Sequence, residues 1–109
     1  MLAQGQLTTT SSAIIQATDS TNIKITTVVF KNLSDTTKNI NLYYVPHNGT
    51  NGLGNPTNSN IIIEKTLNPR ETYQYTILRS YIVLNDQGDA LFADANEDNK
   101  VNYFVLNNQ

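Results

Sequence analysis

The stretch Ile23-Lys24-Ile25-Thr26-Thr27-Val28-Val29-Phe30-Lys31-Asn32-Leu33, then Ser34-Asp35-Thr36-Thr37, then Lys38-Asn39-Ile40-Asn41-Leu42-Tyr43-Tyr44-Val45-Pro46 decides the fold class. In its second arm Ile40, Leu42 and Tyr44 fall on one face, with Asn39, Asn41 and Tyr43 on the other. That period of two marks a half-buried strand. The first arm is rich in β-branched residues, which suit a pleated surface and lose rotamer freedom in a helix. Four short polar residues of the kind that make side-chain-to-backbone turns separate the arms, so the pair is expected to form a β-hairpin. Ile23 and Ile25 share a parity that Val28 and Phe30 lack. Either the first strand carries a bulge at Thr26-Thr27, or it is central and apolar on both faces; the bulge is the preferred reading.

Working outward, residues 13–17 form a short apolar run that ends in the turn-forming Asp19-Ser20-Thr21-Asn22. Residues 61–65 and the alternating 73–77 read as strands, separated by the turn Leu67-Asn68-Pro69-Arg70-Glu71-Thr72. Residues 81–84 and 90–93 flank Asn85-Asp86-Gln87-Gly88-Asp89, a tight turn in which Gly88 is expected at positive φ. Residues 101–106 close the chain, and no segment of helical length carries a 3.6-residue apolar period. The expectation is an all-β chain: a single small antiparallel β-sandwich, jelly-roll-like, of about seven or eight short strands. One domain spans 1–109, with 1–12 as an N-terminal arm and 47–60 as a long Asn/Gly-rich loop. Phe30, Leu42, Leu84 and Phe92 are the expected core.

Composition narrows the function classes. The net charge of -2 and pI near 5.1 leave no electrostatic footprint for nucleic acid or an anionic membrane. Asn and Thr supply more than a quarter of the residues, which fits a β protein with many turns. With no Cys there are neither disulfides nor thiolate metal sites. No apolar run has the length of a membrane span, and Met1-Leu2-Ala3-Gln4-Gly5-Gln6 lacks the features of a signal peptide. A cytosolic product, or one that leaves the cell by a route other than secretion, is expected.

Candidate chemistry is sparse, and no catalytic, cofactor-binding or metal-ligating set is assigned from the sequence. His47, the only His, lacks a nominated partner and is expected as a solvated loop residue. Asp94-Ala95-Asn96-Glu97-Asp98-Asn99 opens like a calcium loop, but Asn99 and Val105 stand at the sixth and twelfth positions, so an EF-hand is excluded. A plain acidic surface loop is preferred over a simpler oxygen-lined calcium site. Gly49, Gly52 and Gly54 precede no helix and are loop glycines rather than a phosphate cradle. Six Tyr without Trp leave the aromatics as the remaining signal. Most should cap the core, while Tyr43 and Tyr73 are candidates to stack on a sugar or a neighbouring subunit.

Three segments together resemble a family of small β-sandwich virion proteins encoded by tailed phages. They are the arm ending in Tyr43-Tyr44-Val45-Pro46, the turn Leu67-Asn68-Pro69-Arg70-Glu71-Thr72-Tyr73, and Tyr81-Ile82-Val83-Leu84-Asn85-Asp86-Gln87-Gly88-Asp89-Ala90-Leu91. Each alone is a generic strand-turn-strand; their order and spacing carry the likeness, which spans roughly residues 7–106. The resemblance implies a non-enzymatic structural role in the virion, made in the host cytoplasm, as a capsid decoration or cement subunit on the head. A tail or fibre component that binds host-surface glycan is the alternative. It implies self-association, as a trimer, and docking on the major capsid protein or another virion protein, with no cofactor. Uncharged strands at 61–63 and 101–106, with Tyr43, Tyr73, Tyr103, Phe104 and Leu53, are the expected interface residues.

Overall fold

The computed structural model describes residues 1–19, 22–77 and 81–107. In chain order the strands are β1 (Ala3–Gln6), β2 (Ser12–Gln16), β3 (Ile23–Ile25), β4 (Thr27–Asn32), β5 (Lys38–Val45), β6 (Ile61–Leu67), β7 (Thr72–Thr76), β8 (Ile82–Leu84), β9 (Ala90–Ala95) and β10 (Val101–Leu106). A single 3₁₀ turn, Asn58–Asn60, precedes β6. One four-stranded sheet has the order β1-β10-β4-β7, a second has β2-β9-β5-β6, and β3 pairs with β8. All these pairs are antiparallel. With β3 and β8 set aside, the eight remaining strands are distributed over the two sheets in the order of a jelly-roll sandwich, the chain crossing between sheets at each connection except β5 to β6. The all-β expectation is met, with ten strands among the described residues rather than seven or eight.

The two extra strands have local causes. Residues 1–12, expected as an arm, instead hold β1, which pairs residue for residue with β10. Leu7, just after it, is 2 % exposed and anchors the segment. The first arm of the expected hairpin is divided at Thr26. Before it the chain pairs with β8; after it the chain pairs with β10 and β7. Thr26 donates its N–H to the Leu106 carbonyl and accepts from the Ile77 N–H, so the backbone stays satisfied through the step. The change of parity read from Ile25 and Val28 is thus a transfer between ladders, not a bulge within one.

The hairpin itself does not form. β4 and β5 lie in different sheets, and residues 33–37 carry the chain across the sandwich. Both arms alternate, so both have an apolar face to bury, and they bury them in one core from opposite sheets. Val28 and Phe30 from one side, Ile40 and Leu42 from the other, are all at most 1 % exposed and belong to one cluster with Leu67, Leu91, Val101 and Val105.

The crossing is fixed by Asn32, which is fully buried. Its amide donates to the carbonyls of Thr36 (2.9 Å) and Asn68 (3.0 Å), and its Oδ1 accepts from the Ser34 N–H (2.9 Å) and hydroxyl (2.8 Å). One side chain therefore ties the end of β4 to the crossing segment and to the turn after β6. Asn32 is a structural polar hub.

A second, smaller cluster lies on the outer side of the β2-β9-β5-β6 sheet. Val45, Ala90 and Phe92 are buried there, with Ala13 and Tyr43 against them. Phe92 is buried as expected, but on the face opposite Leu91 and Ala93. The long loop turns back over it: a Cβ on Gly54 would fall 3.0 Å from Val45 Cγ1 and 2.4 Å from the Pro46 carbonyl.

Two substitutions test this packing by denaturant unfolding. Leu42→Ala should lose roughly 2–5 kcal/mol, because it removes buried methyl groups and leaves a cavity. Asn32→Ala should lose about 1–3 kcal/mol by stranding buried carbonyls and N–H groups at the crossing.

Candidate functional site

Three regions of the surface carry unusual chemistry. The first is the end of the sandwich where the long loop meets the turn before β9. Asp89 is 5 % exposed and accepts from the His47 backbone N–H (2.9 Å) and the Asp86 N–H (3.2 Å). His47 Nδ1 stands 2.9 Å from the same Asp89 carboxylate and 4.0 Å from that of Asp86. Burial pushes the Asp89 carboxyl up, but the hydrogen bonds from His47 and Asp86 outweigh it and hold the group below its ordinary value. His47 is therefore not the solvated loop residue expected from the sequence. Its partner lies 42 residues away, so only the fold could nominate it.

Gly88 makes this meeting possible. It sits at φ +97°, and a Cβ there would lie 2.4 Å from the Gly52 carbonyl and 2.8 Å from His47 Cβ. The turn is also pinned to the end of β2: Gly88 N–H donates to the Ala17 carbonyl, and Ala17 N–H to the Asp89 carbonyl. The positive φ at Gly88 agrees with the expectation for this turn.

The second region is the outer face of the β2-β9-β5-β6 sheet. An open depression of about 380 Å³ is lined by Asn39, Ile40, Asn41, Glu64, Lys65 and Thr66. Next to it Asp94 accepts from the Asn41 amide (2.9 Å) and the Tyr43 hydroxyl (2.8 Å). Burial, followed by the Asp94 carboxylate, pushes the Tyr43 phenol up to about 12. Asp94 is thus turned away from the acidic loop. Glu97 pairs with the buried Lys38 at 3.0 Å, and Asp98 accepts from the Thr9 N–H at 2.7 Å. The three carboxylates of the calcium-like stretch each hold partners of their own and do not converge.

The third region is the outer face of the other sheet, where Phe104, half-buried, lines an open depression of about 280 Å³ with Gln4, Gln6 and Asn102. Of the expected interface residues, Tyr43 lies on the outer face of the opposite sheet. Tyr73 and Tyr103 point between the sheets and pack against the core. Lys65 Nζ sits 5.1 Å from the Tyr73 ring centre. The Tyr103 ring occupies the space above Gly5, where a Cβ would fall 2.7 Å from its hydroxyl. Leu53 is 42 % exposed on the long loop. The five residues occupy separate places and form no single patch.

One part of the expected interface is corrected. β10 was expected to offer an uncharged strand to a neighbour, but it is paired on both sides, with β1 and β4. The outermost strands are β1 and β7 in one sheet and β2 and β6 in the other. β1 (Ala-Gln-Gly-Gln), β2 (Ser-Ala-Ile-Ile-Gln) and β7 (Thr-Tyr-Gln-Tyr-Thr) carry no charge, whereas β6 carries Glu64 and Lys65. Sequence reasoning missed β1 altogether, because its four residues hold one Ala as their sole apolar side chain.

No family model matches the chain, and neither a curated protein nor a solved structure matches it.

The Tyr43–Asp94 pair makes a direct prediction. A folded pKa above the free value of about 10 adds stability below pH 10, lost as the pH rises through about 12. Following the Tyr43 ring by NMR during alkaline titration should show that late ionisation, and Asp94→Asn should bring it back toward the free value.

Proposed function

We propose that this chain is a non-enzymatic virion structural protein of a tailed phage, a decoration or cement subunit that docks on the head surface as a three-fold homo-oligomer. The observation that carries this reading is the state of the sandwich edges. Three of its four outermost strands, β1, β2 and β7, present backbone hydrogen-bonding groups with no charged side chain in the strand. Monomeric β proteins blunt such edges with charges, prolines or covering segments, so uncharged edges favour pairing with a neighbour. Half-buried Phe104 adds an aromatic contact on the outer face beside β1. Jelly-roll sandwiches are common among capsid and lectin domains, which supports the assignment by analogy of fold. The sequence resemblance to phage virion proteins points the same way.

A second reading, a tail or fibre component that binds host-surface glycan, is favoured by a different observation. The depression beside Tyr43 is rimmed by the amides of Asn39 and Asn41 and the carboxylate of Glu64 on paired strands, groups that recognise sugar hydroxyls.

The test is location and docking. Labelled protein should appear on the heads of purified particles, should bind undecorated heads added in solution, and should scatter light as a trimer. A monomer that ignores heads overturns the head-decoration reading. Retention of sugars on a glycan array by that monomer, lost in Asn41→Ala, would support the second.

A further inference from the structure

We propose that His47, Asp86 and Asp89 form a binding site for one divalent transition-metal ion of the zinc class, which clamps the long loop to the turn before β9. The three side chains offer one imidazole nitrogen and two carboxylates, and their donor atoms all lie within 4.8 Å of one another. Zinc bonds of about 2.0–2.2 Å in tetrahedral geometry place donors roughly 3.3 Å apart. His47 Nδ1 and Asp89 Oδ1, at 2.9 Å, need to open by a few tenths of an ångström. Asp86, at 4.0 Å from Nδ1, needs to close by less than about 1 Å, and its side chain is 67 % exposed at the rim and has room to turn.

The site is anchored from below and open above. Asp89 is held at its floor by two backbone N–H groups, from His47 and Asp86, which are themselves the residues bearing the other two ligands. The backbone that carries the ligands is fixed by the packing of Gly88 against Gly52 and His47, and by its hydrogen bond to Ala17. Such anchoring leaves little ordering cost for an ion to meet. Electrostatics favour a cation, because two carboxylates face one ring nitrogen. In the His47–Asp89 hydrogen bond a proton on Nδ1 supplies the positive end; a metal ion takes that place by coordinating the same lone pair. The ligand set selects the class of ion. Calcium and magnesium prefer all-oxygen shells, whereas a mixed nitrogen and oxygen set suits zinc, cobalt or nickel, with water completing the shell.

Metal binding at this cluster is independent of a role in a virion. The full chain, freed of metal with a chelator, is titrated with zinc chloride by calorimetry and with cobalt chloride by visible absorption. One ion per chain, a raised melting temperature with zinc, and the intense absorption of tetrahedral cobalt are expected. Asp86→Asn, an exposed change that leaves the His47–Asp89 bond in place, should weaken binding about tenfold or more, and His47→Gln should remove the cobalt spectrum. No stoichiometric uptake by the native chain overturns the proposal and leaves the cluster as a hydrogen-bonded staple. Uptake that both variants retain overturns it too, because the ion then lies elsewhere.

Discussion

The fold depends on one buried amide. Between Asn32 and Lys38 the chain must leave one sheet and enter the other, and the segment that does so carries backbone groups that cannot pair with a strand. Asn32 supplies the missing partners, donating to Thr36 and Asn68 and accepting from Ser34. The turn after β6 then leans on the same corner, with the Arg70 N–H bonded to the Ser34 carbonyl and its guanidinium 2.9 Å from Asp35. The exposed ion pair contributes little by itself. The buried amide matters more, because its loss leaves several polar groups dry at once. Once this corner is set, β4 and β5 must face each other across the core, and the order of the remaining strands follows from pairing on either side of them.

The same geometry explains why the chemistry lies outside the sandwich. The interior is filled by aliphatic side chains and Phe30, with Thr27, Asn32, Lys38 and Asp89 as its buried polar members. Lys38 reaches Glu97, and Asp89 reaches His47, so each buried charge meets an opposite or donating group. Both pairs sit at the margins, where a connection between strands folds against the sandwich. The connections, not the strands, bring distant titratable groups together here.

The outer faces differ for a reason of packing. The β2-β9-β5-β6 sheet has part of its outer side sheltered by the long loop, and Phe92 and Val45 use that shelter to bury a second small cluster. The rest of that face is a carpet of amides, Thr66, Glu64 and the Tyr43–Asp94 pair. The opposite sheet has Phe104 flanked by Gln4 and Gln6, beside an uncharged edge. One face is therefore polar around a shielded phenol, and the other sets an aromatic ring among glutamines beside an uncharged edge.

Alternation and β-branched content in the sequence by themselves determined the all-β class, the positions of most strands and the burial of Phe30, Leu42 and Leu84, because a period of two is a local property of each segment. The turn at Gly88 was legible for the same reason, since its conformation is set within a few residues. Pairing was not. The sequence around 34–37 suits a hairpin, and only the competition for one shared core sent the two arms to different sheets. Alternation says which residues of a strand face inward, but not which sheet holds it, nor whether a buried face belongs to the main core, as Phe92 demonstrates. The polar centres were hidden for a related reason. Asn32, a surface-type residue, and His47, a lone histidine in a loop, each have a partner far along the chain, Asn68 at 36 positions and Asp89 at 42. Tertiary structure decided them, because a buried polar group is defined by what surrounds it, and those surroundings come from distant parts of the chain.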